Sequence, residues 1–203
     1  MNTLVRFEAS LVPLSLVVDP PMSDDEFERF CAGNQDVQIE RSSEGVIRVN
    51  PPTGGLTGNG NSEINRQLGN WWDSHRRGRV FDSSTGFFLA DGSLMSPDAA
   101  YVSQEQLKGF AKAQLARMPH LCPVFVIELL SETESLSRTQ TKMELWIANG
   151  AELGWLVDPY RQCVEVYQPG SAAVTLDGPL MQGAGTVDGF VLDLTKVWRC
   201  YEV

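Results

Sequence analysis

Asp98, Glu128 and Lys142 are the residues of this chain whose types and places best suit chemistry. Asp98 follows Ser96-Pro97 at the start of an expected strand. Glu128 interrupts the apolar run Val-Phe-Val-Ile-Glu-Leu-Leu at 124–130, and Lys142 falls on the helix expected next. Charges at or beside core elements are expensive unless paired. An aspartate and a glutamate that converge make a hard-oxygen site suited to Mg²⁺ or Mn²⁺. A neighbouring ammonium can hold a water or stabilise charge on a phosphoryl oxygen. The chemistry that such a trio fits is phosphodiester hydrolysis.

Each member also has a simpler reading. A Pro-Asp aspartate is commonly a loop residue satisfied by backbone N–H groups, and Glu128 is either a cleft-facing acid or half of a buried ion pair. Lys142 stands one residue before Met143 and four before Trp146, so it leans toward the sheet either as a site residue or as a snorkelling lysine. Two further acids are candidates for an extra ligand or base. Glu63 lies in the first turn of a long helix, where the dipole favours a carboxylate, and Glu40 ends the first hairpin strand. His75-Arg76-Arg77, Arg79 and Arg66 form the dense basic cluster; they serve either phosphate contact or the helix C-terminus. The Trp71-Trp72 pair reads as core with an amphipathic edge.

The elements that must position these groups follow from periodicity. Residues 1–22 read as an irregular arm. Ser23 to Glu26 is a capping box opening a short helix that stops at Gly33. Residues 37–40 and 46–49 flank a turn as a hairpin, and 51–60 reads as a Pro/Gly loop. A longer helix starts near 61 or 62, with Ile64, Leu68, Trp71 and Trp72 at helical spacing and Gly78 ending it. Strands are expected at 80–82, 86–90 and 98–102, then a mostly helical insert at 103–119. Residues 124–130 give the strongest strand, apolar enough to be covered on both faces. A helix at 135–149, with Leu136, Met143, Trp146 and Ile147 as its buried stripe, precedes a hairpin of 153–157 and 163–167. The tail, 171–203, supplies one or two strands and a turn around 194–198, packed on the same domain as 23–170. The result is a mixed α/β sheet flanked by helices.

Bulk properties remove several function classes. A chain of 203 residues with 42% hydrophobic and 21% charged residues suits one globular domain. No apolar run is long enough for a membrane span, and the N-terminus lacks the basic region and cleavage site of a signal peptide; the expected location is cytoplasmic. Cys31, Cys122, Cys163 and Cys200 are dispersed and only His75 and His120 are present, which argues against zinc. Neither a nucleophile elbow nor a P-loop is found. The net charge of −10 argues against tight non-specific DNA binding.

Residues 86–92 leading to Ser96-Pro97-Asp98, then Phe125 to Ser131, Gln140-Thr141-Lys142-Met143, and Asn149-Gly150-Ala151-Glu152-Leu153-Gly154-Trp155-Leu156-Val157-Asp158-Pro159, resemble in order the PD-(D/E)XK nuclease superfamily. More narrowly the chain looks like the bacterial restriction endonuclease group formerly classed as a domain of unknown function, over roughly 23–170. The resemblance implies a restriction endonuclease-like core with an added N-terminal hairpin, and Mg²⁺-dependent cleavage of DNA. It implies Asp98 and Glu128 as metal-binding acids and the Leu129 carbonyl as a further ligand. Glu63 matches the acid often carried on the first core helix, with Glu40 its rival. The superfamily's lysine falls two residues after the glutamate, where this chain has Leu130, and Lys142 is its replacement. A metal-dependent DNA endonuclease acting as a homodimer is the leading expectation. A catalytically weak nuclease-fold protein that binds nucleic acid or regulates is the alternative, and a glycosidase-like carboxylate pair is a remote third.

Overall fold

The computed structural model describes residues 13–202. Its elements run β1 (Leu14–Leu16), α1 (Asp24–Ala32), β2 (Gln38–Arg41), β3 (Ile47–Asn50), α2 (Gly55–His75), β4 (Arg79–Asp82), β5 (Phe87–Phe88), β6 (Leu94–Met95) and β7 (Ala99–Val102). Two short helices, α3 (Gln104–Leu107) and α4 (Lys112–Leu115), lead to β8 (Phe125–Leu129), α5 (Leu136–Ala148), β9 (Leu153–Asp158) and β10 (Cys163–Tyr167). The tail holds β11 (Val174–Asp177), β12 (Leu180–Gln182), β13 (Val191–Asp193) and α6 (Leu194–Arg199).

The main sheet has six strands in the order β11-β10-β9-β8-β7-β4. Every neighbouring pair is antiparallel except β8 and β9, which are parallel and joined by the crossover helix α5. Strand alternation sorts β8 between two cores. Phe125, Ile127 and Leu129 pack with Ile64 and Leu68 of α2 and with Phe190, Leu192 and Val197 from the tail. Val126 and Leu130 pack on the other face with Met143 and Trp146 of α5. Glu128 shares that second face, so an acid is carried into the interior beside α5. A second, five-stranded sheet in the order β1-β3-β2-β6-β5 is built on the N-terminal hairpin and closes over α1 through Phe27, Ile39, Ile47 and Val49.

Mixed α/β architecture, the central strand, the crossover helix and both hairpins match the sequence reading. Five expectations need correction. The N-terminal arm is not wholly irregular, because Leu14–Leu16 pairs with β3; residues 1–12 lie outside the described residues. The Pro/Gly loop ends early: α2 begins at Gly55 with Gly54 as its cap. The low helix propensity of Gly55, Gly58 and Gly60 is overridden by packing, since a Cβ on Gly60 would collide with the Leu129 side chain and crowd the Tyr201 ring. The helix ends on Arg76 in the left-handed conformation (φ 52°) rather than on Gly78. Gly78 instead takes φ +65° where a Cβ would collide with the Val102 carbonyl. Finally, the 86–90 segment contributes only β5, which joins the second sheet, and the tail forms three strands and a helix rather than one or two strands and a turn.

Candidate active site

Ser96-Pro97-Asp98 bridges the two sheets between β6 and β7. Proline holds Ser96 extended, and both backbone polar groups of Ser96 are used by the site. Its N–H donates to Glu40 Oε1 (3.1 Å) and its carbonyl accepts from Lys142 Nζ (2.8 Å). Asp98 is fixed from two directions. Asn61 Nδ2 of α2 donates to its Oδ1 (2.7 Å), and the backbone N–H of Leu129 donates to its Oδ2 (2.7 Å). Asn65, one helical turn after Asn61, holds the Asp98 carbonyl (2.9 Å).

Glu128 is 5% exposed. Its Oε1 accepts from the Trp146 indole N–H at 2.7 Å. Lys142, one turn earlier on α5, reaches both oxygens, at 3.0 Å from Oε1 and 3.1 Å from Oε2. Lys142 also pairs with Glu40 Oε1 at 3.0 Å. Its three N–H donors therefore meet Ser96, Glu128 and Glu40.

The electrostatics leave this centre short of positive charge. Asp98, Glu128 and Glu40 face the single ammonium of Lys142. Burial pushes the Asp98 carboxyl up, against the opposing pull of the Leu129 N–H and Lys142. Burial likewise pushes Glu128 up to about 8, with Lys142 pulling it down and Asp98 and Glu40 adding to the rise. Burial would lower Lys142, but Glu128, then Glu40 and Asp98, outweigh it and hold the ammonium above the ordinary lysine range.

A divalent cation fits this chemistry. Among the described residues no three of His, Cys, Asp and Glu make a ready-made metal cage, which a structural zinc would need. Mg²⁺ characteristically takes one or two carboxylates and completes its shell with water and substrate phosphate. The uncompensated carboxylates supply that donor set, and Asn61 Oδ1 is a further buried oxygen with no hydrogen-bond partner.

Of the acids proposed from sequence, the structure brings Asp98, Glu128 and Glu40 together with Lys142. Glu63 is not brought to this cluster. It sits on another face of α2, where it takes Arg66 (Nε 2.9 Å, Nη2 2.5 Å) and Gln67 (2.8 Å), and Gln67 in turn binds the Asp193 backbone. Residues 61 and 65 share a helical face that 63 does not. Leu129 is placed with its N–H on Asp98. The Asn61–Asn65 pair and the Trp146 donor were missed from sequence, although their four-residue spacings to each other and to Lys142 are visible there. Asp98 opens onto a cleft of about 780 Å³ that Ser96 also lines. Glu40 and Lys142 line a second, of about 690 Å³.

The model of one sequence family, Uma2, described as "Putative restriction endonuclease", matches residues 24–195. The chain belongs to the Uma2 family. A crystal structure described as "a putative nuclease belonging to DUF820", from Anabaena variabilis, superposes with a TM-score of 0.72 at 20% identity. The match covers 89% of this chain and 99% of that one. At that identity the likeness shows the fold, which is restriction endonuclease-like. No curated protein matches the chain. Uma2 membership and the fold together make this a nuclease-type protein, and no helix among the described residues is long and apolar enough to cross a membrane.

Proposed function

We propose that the protein is a divalent-cation-dependent endonuclease that hydrolyses phosphodiester bonds of DNA. The observation that carries this reading is the pairing of Glu128 and Glu40 with Lys142 within electrostatic reach of Asp98, three carboxylates for one ammonium in a largely dehydrated site. Asp98, Glu128 and the Leu129 carbonyl would hold Mg²⁺ or Mn²⁺. The cation supplies Lewis-acid stabilisation of charge developing on the phosphoryl and leaving oxygens.

The chain's own residues do the rest. Asn61 and the Leu129 N–H orient Asp98, while Trp146 orients Glu128. Lys142 keeps its charge among the acids, limits the repulsion between Glu128 and Glu40, and holds both carboxylates and the Ser96 carbonyl in place. Glu40, anchored by the Ser96 N–H, is the further carboxylate able to accept a proton from an attacking water. Two such sites related by a two-fold axis would address opposite strands of a duplex, which favours a homodimer. Free thiols at Cys31, Cys122, Cys163 and Cys200 suit a reducing cytoplasm.

The test is cleavage of plasmid and single-stranded DNA with Mg²⁺ or Mn²⁺ by wild type, Asp98→Asn and Glu128→Gln. Cation-dependent cutting that both substitutions abolish is expected. Binding without cutting would move the protein to the nucleic-acid-binding reading.

A further inference from the structure

The second cleft holds two cations that the catalytic arrangement leaves unused. Arg48 of β3 and Arg138 in the first turn of α5 both line it, together with Glu40 and Lys142. Both are half-buried. Among the described residues neither guanidinium has a carboxylate at ion-pair distance, in contrast to Arg41, Arg66, Arg117 and Arg161. Burial pushes the Arg48 guanidinium down, and the Arg138 charge pushes it further, against weaker opposing pulls from Glu40 and Glu134. Arg48 stands directly across from Glu40 in the β2–β3 register, and Arg138 precedes Lys142 by one helical turn. The pair therefore adjoins the carboxylate centre from two separate elements. Two like charges converging in a partly dehydrated cleft are unfavourable by themselves, and an arginine in the first turn also opposes the helix dipole. An anion shared between them removes both costs, and planar guanidinium forks match phosphate oxygens.

We propose that Arg48 and Arg138 grip a backbone phosphate of a nucleic-acid strand, one neighbouring the phosphodiester held at Asp98 and Glu128. The identity of the ligand rests on the nuclease reading above. The pair explains how a chain of net charge −10 engages a polyanion: attraction is local to two guanidiniums, in a cleft that Glu40, Glu44, Asp91 and Glu134 also line. It also sets the strand's course, since the phosphate grip lies on the Lys142 side of the carboxylates and the Asp98 cleft on the other.

The test is fluorescence anisotropy of labelled single-stranded and duplex DNA oligonucleotides over a salt series, with Ca²⁺ replacing Mg²⁺. The double variant Arg48→Ala/Arg138→Ala should bind at least about tenfold more weakly, and its dependence of log affinity on log salt should fall by about 2, one for each lost phosphate contact. Arg48→Lys/Arg138→Lys should keep most of the slope while losing affinity, which separates lost contact from lost folding. An unchanged slope in the alanine pair overturns the proposal, as does a slope that falls only in Arg76→Ala/Arg77→Ala. Wild type that fails to bind either oligonucleotide overturns it too. Wild type that binds through the pair but does not cut upholds the grip and removes the nuclease. Cutting with an unchanged slope in the variant upholds the nuclease and removes the grip.

Discussion

Glu128 and Glu165 are each 5% exposed, each lies on a strand of the main sheet, and each is met by a side chain of α5. Their carboxyl groups are nevertheless driven in opposite directions. Burial opposes ionisation of Glu165, but donors from Arg161, Gln140 and Tyr167 outweigh it and hold the group below its ordinary range. Arg161 Nη2 stands 2.8 Å away, Gln140 Nε2 2.9 Å and the Tyr167 hydroxyl 2.9 Å. Arg161 also pairs with Asp158, at 2.6 Å. At Glu128 burial wins and pushes the group up to about 8; Lys142 and the Trp146 N–H oppose the rise, while Asp98 and Glu40 add to it. A buried carboxylate whose donors match its charge is part of the scaffold. One left short of cations is, in the function proposed above, where a divalent cation and its substrate would bind.

The difference can be broken first by activity. Glu128→Gln keeps the shape and a Trp146 acceptor but removes a metal-binding charge. Cleavage per folded molecule should fall by about 10³-fold or more, the equivalent of several kcal/mol of transition-state stabilisation. Glu165→Gln should leave cleavage within about twofold of wild type. Equal losses in the two variants, measured by plasmid relaxation rates, would erase the distinction.

Stability should rank the two the other way. Glu165→Ala strands Gln140 and Tyr167 beside an arginine with lost partners. It should cost about 2–3 kcal/mol in urea unfolding, less than a fully buried pair because Arg161 is half exposed to solvent. Glu128→Gln, measured without metal near neutral pH, should unfold no earlier in urea than wild type.

A pH series sharpens the contrast. Burial pushes the folded Glu128 carboxyl up to about 8, against an ordinary value of 4.5. The folded protein thus keeps a proton that the unfolded chain has released between those values. The stability this contributes is full below the unfolded pKa and is lost as pH rises through the folded one. Metal-free wild type should therefore lose stability relative to Glu128→Gln between about pH 5 and 8, and Mg²⁺ should flatten the difference. Parallel thermal-melting curves over that window would show that Glu128 is already compensated.

The smallest effect concerns orientation. Trp146→Phe removes the indole donor that helps Glu128 ionise. It should raise the pH midpoint of the wild-type profile slightly and cost about 1–2 kcal/mol for the lost hydrogen bond and volume.

Much of this contrast was present in the sequence, but not in a form that separates its halves. Glu128 in Val-Phe-Val-Ile-Glu-Leu-Leu and Glu165 in Cys-Val-Glu-Val-Tyr are both acids in strand-like apolar runs, and only the first drew attention. What distinguishes them is the set of donors each meets, Arg161, Gln140 and Tyr167 at Glu165 against Trp146 and a shared Lys142 at Glu128, which strand periodicity does not count. The central strand, the crossover helix and its Met143–Trp146 stripe were legible because periodicity records burial directly. The start of α2 was not, because the close contact of Gly60 with Leu129 is tertiary and defeats glycine's local preference. That lost boundary also hid the face shared by Asn61 and Asn65 and left Glu63 as an apparent site residue. Glu40 reaches Lys142 by an ion pair from β2 of the second sheet to α5, a long-range contact that the hairpin pattern does not contain.

The central claim, that the Glu128 centre is a cation-short site rather than a second scaffold network, is tested most directly by titrating metal-free protein with Mg²⁺ and Mn²⁺ in a calorimeter, wild type beside Glu128→Gln and Glu165→Gln. The account predicts saturable binding to wild type and to Glu165→Gln, weakened at least about tenfold in Glu128→Gln, a difference of about 1.4 kcal/mol or more. No binding to wild type, or equal binding by Glu128→Gln, would contradict it and place Glu128 beside Glu165 as a buried structural acid.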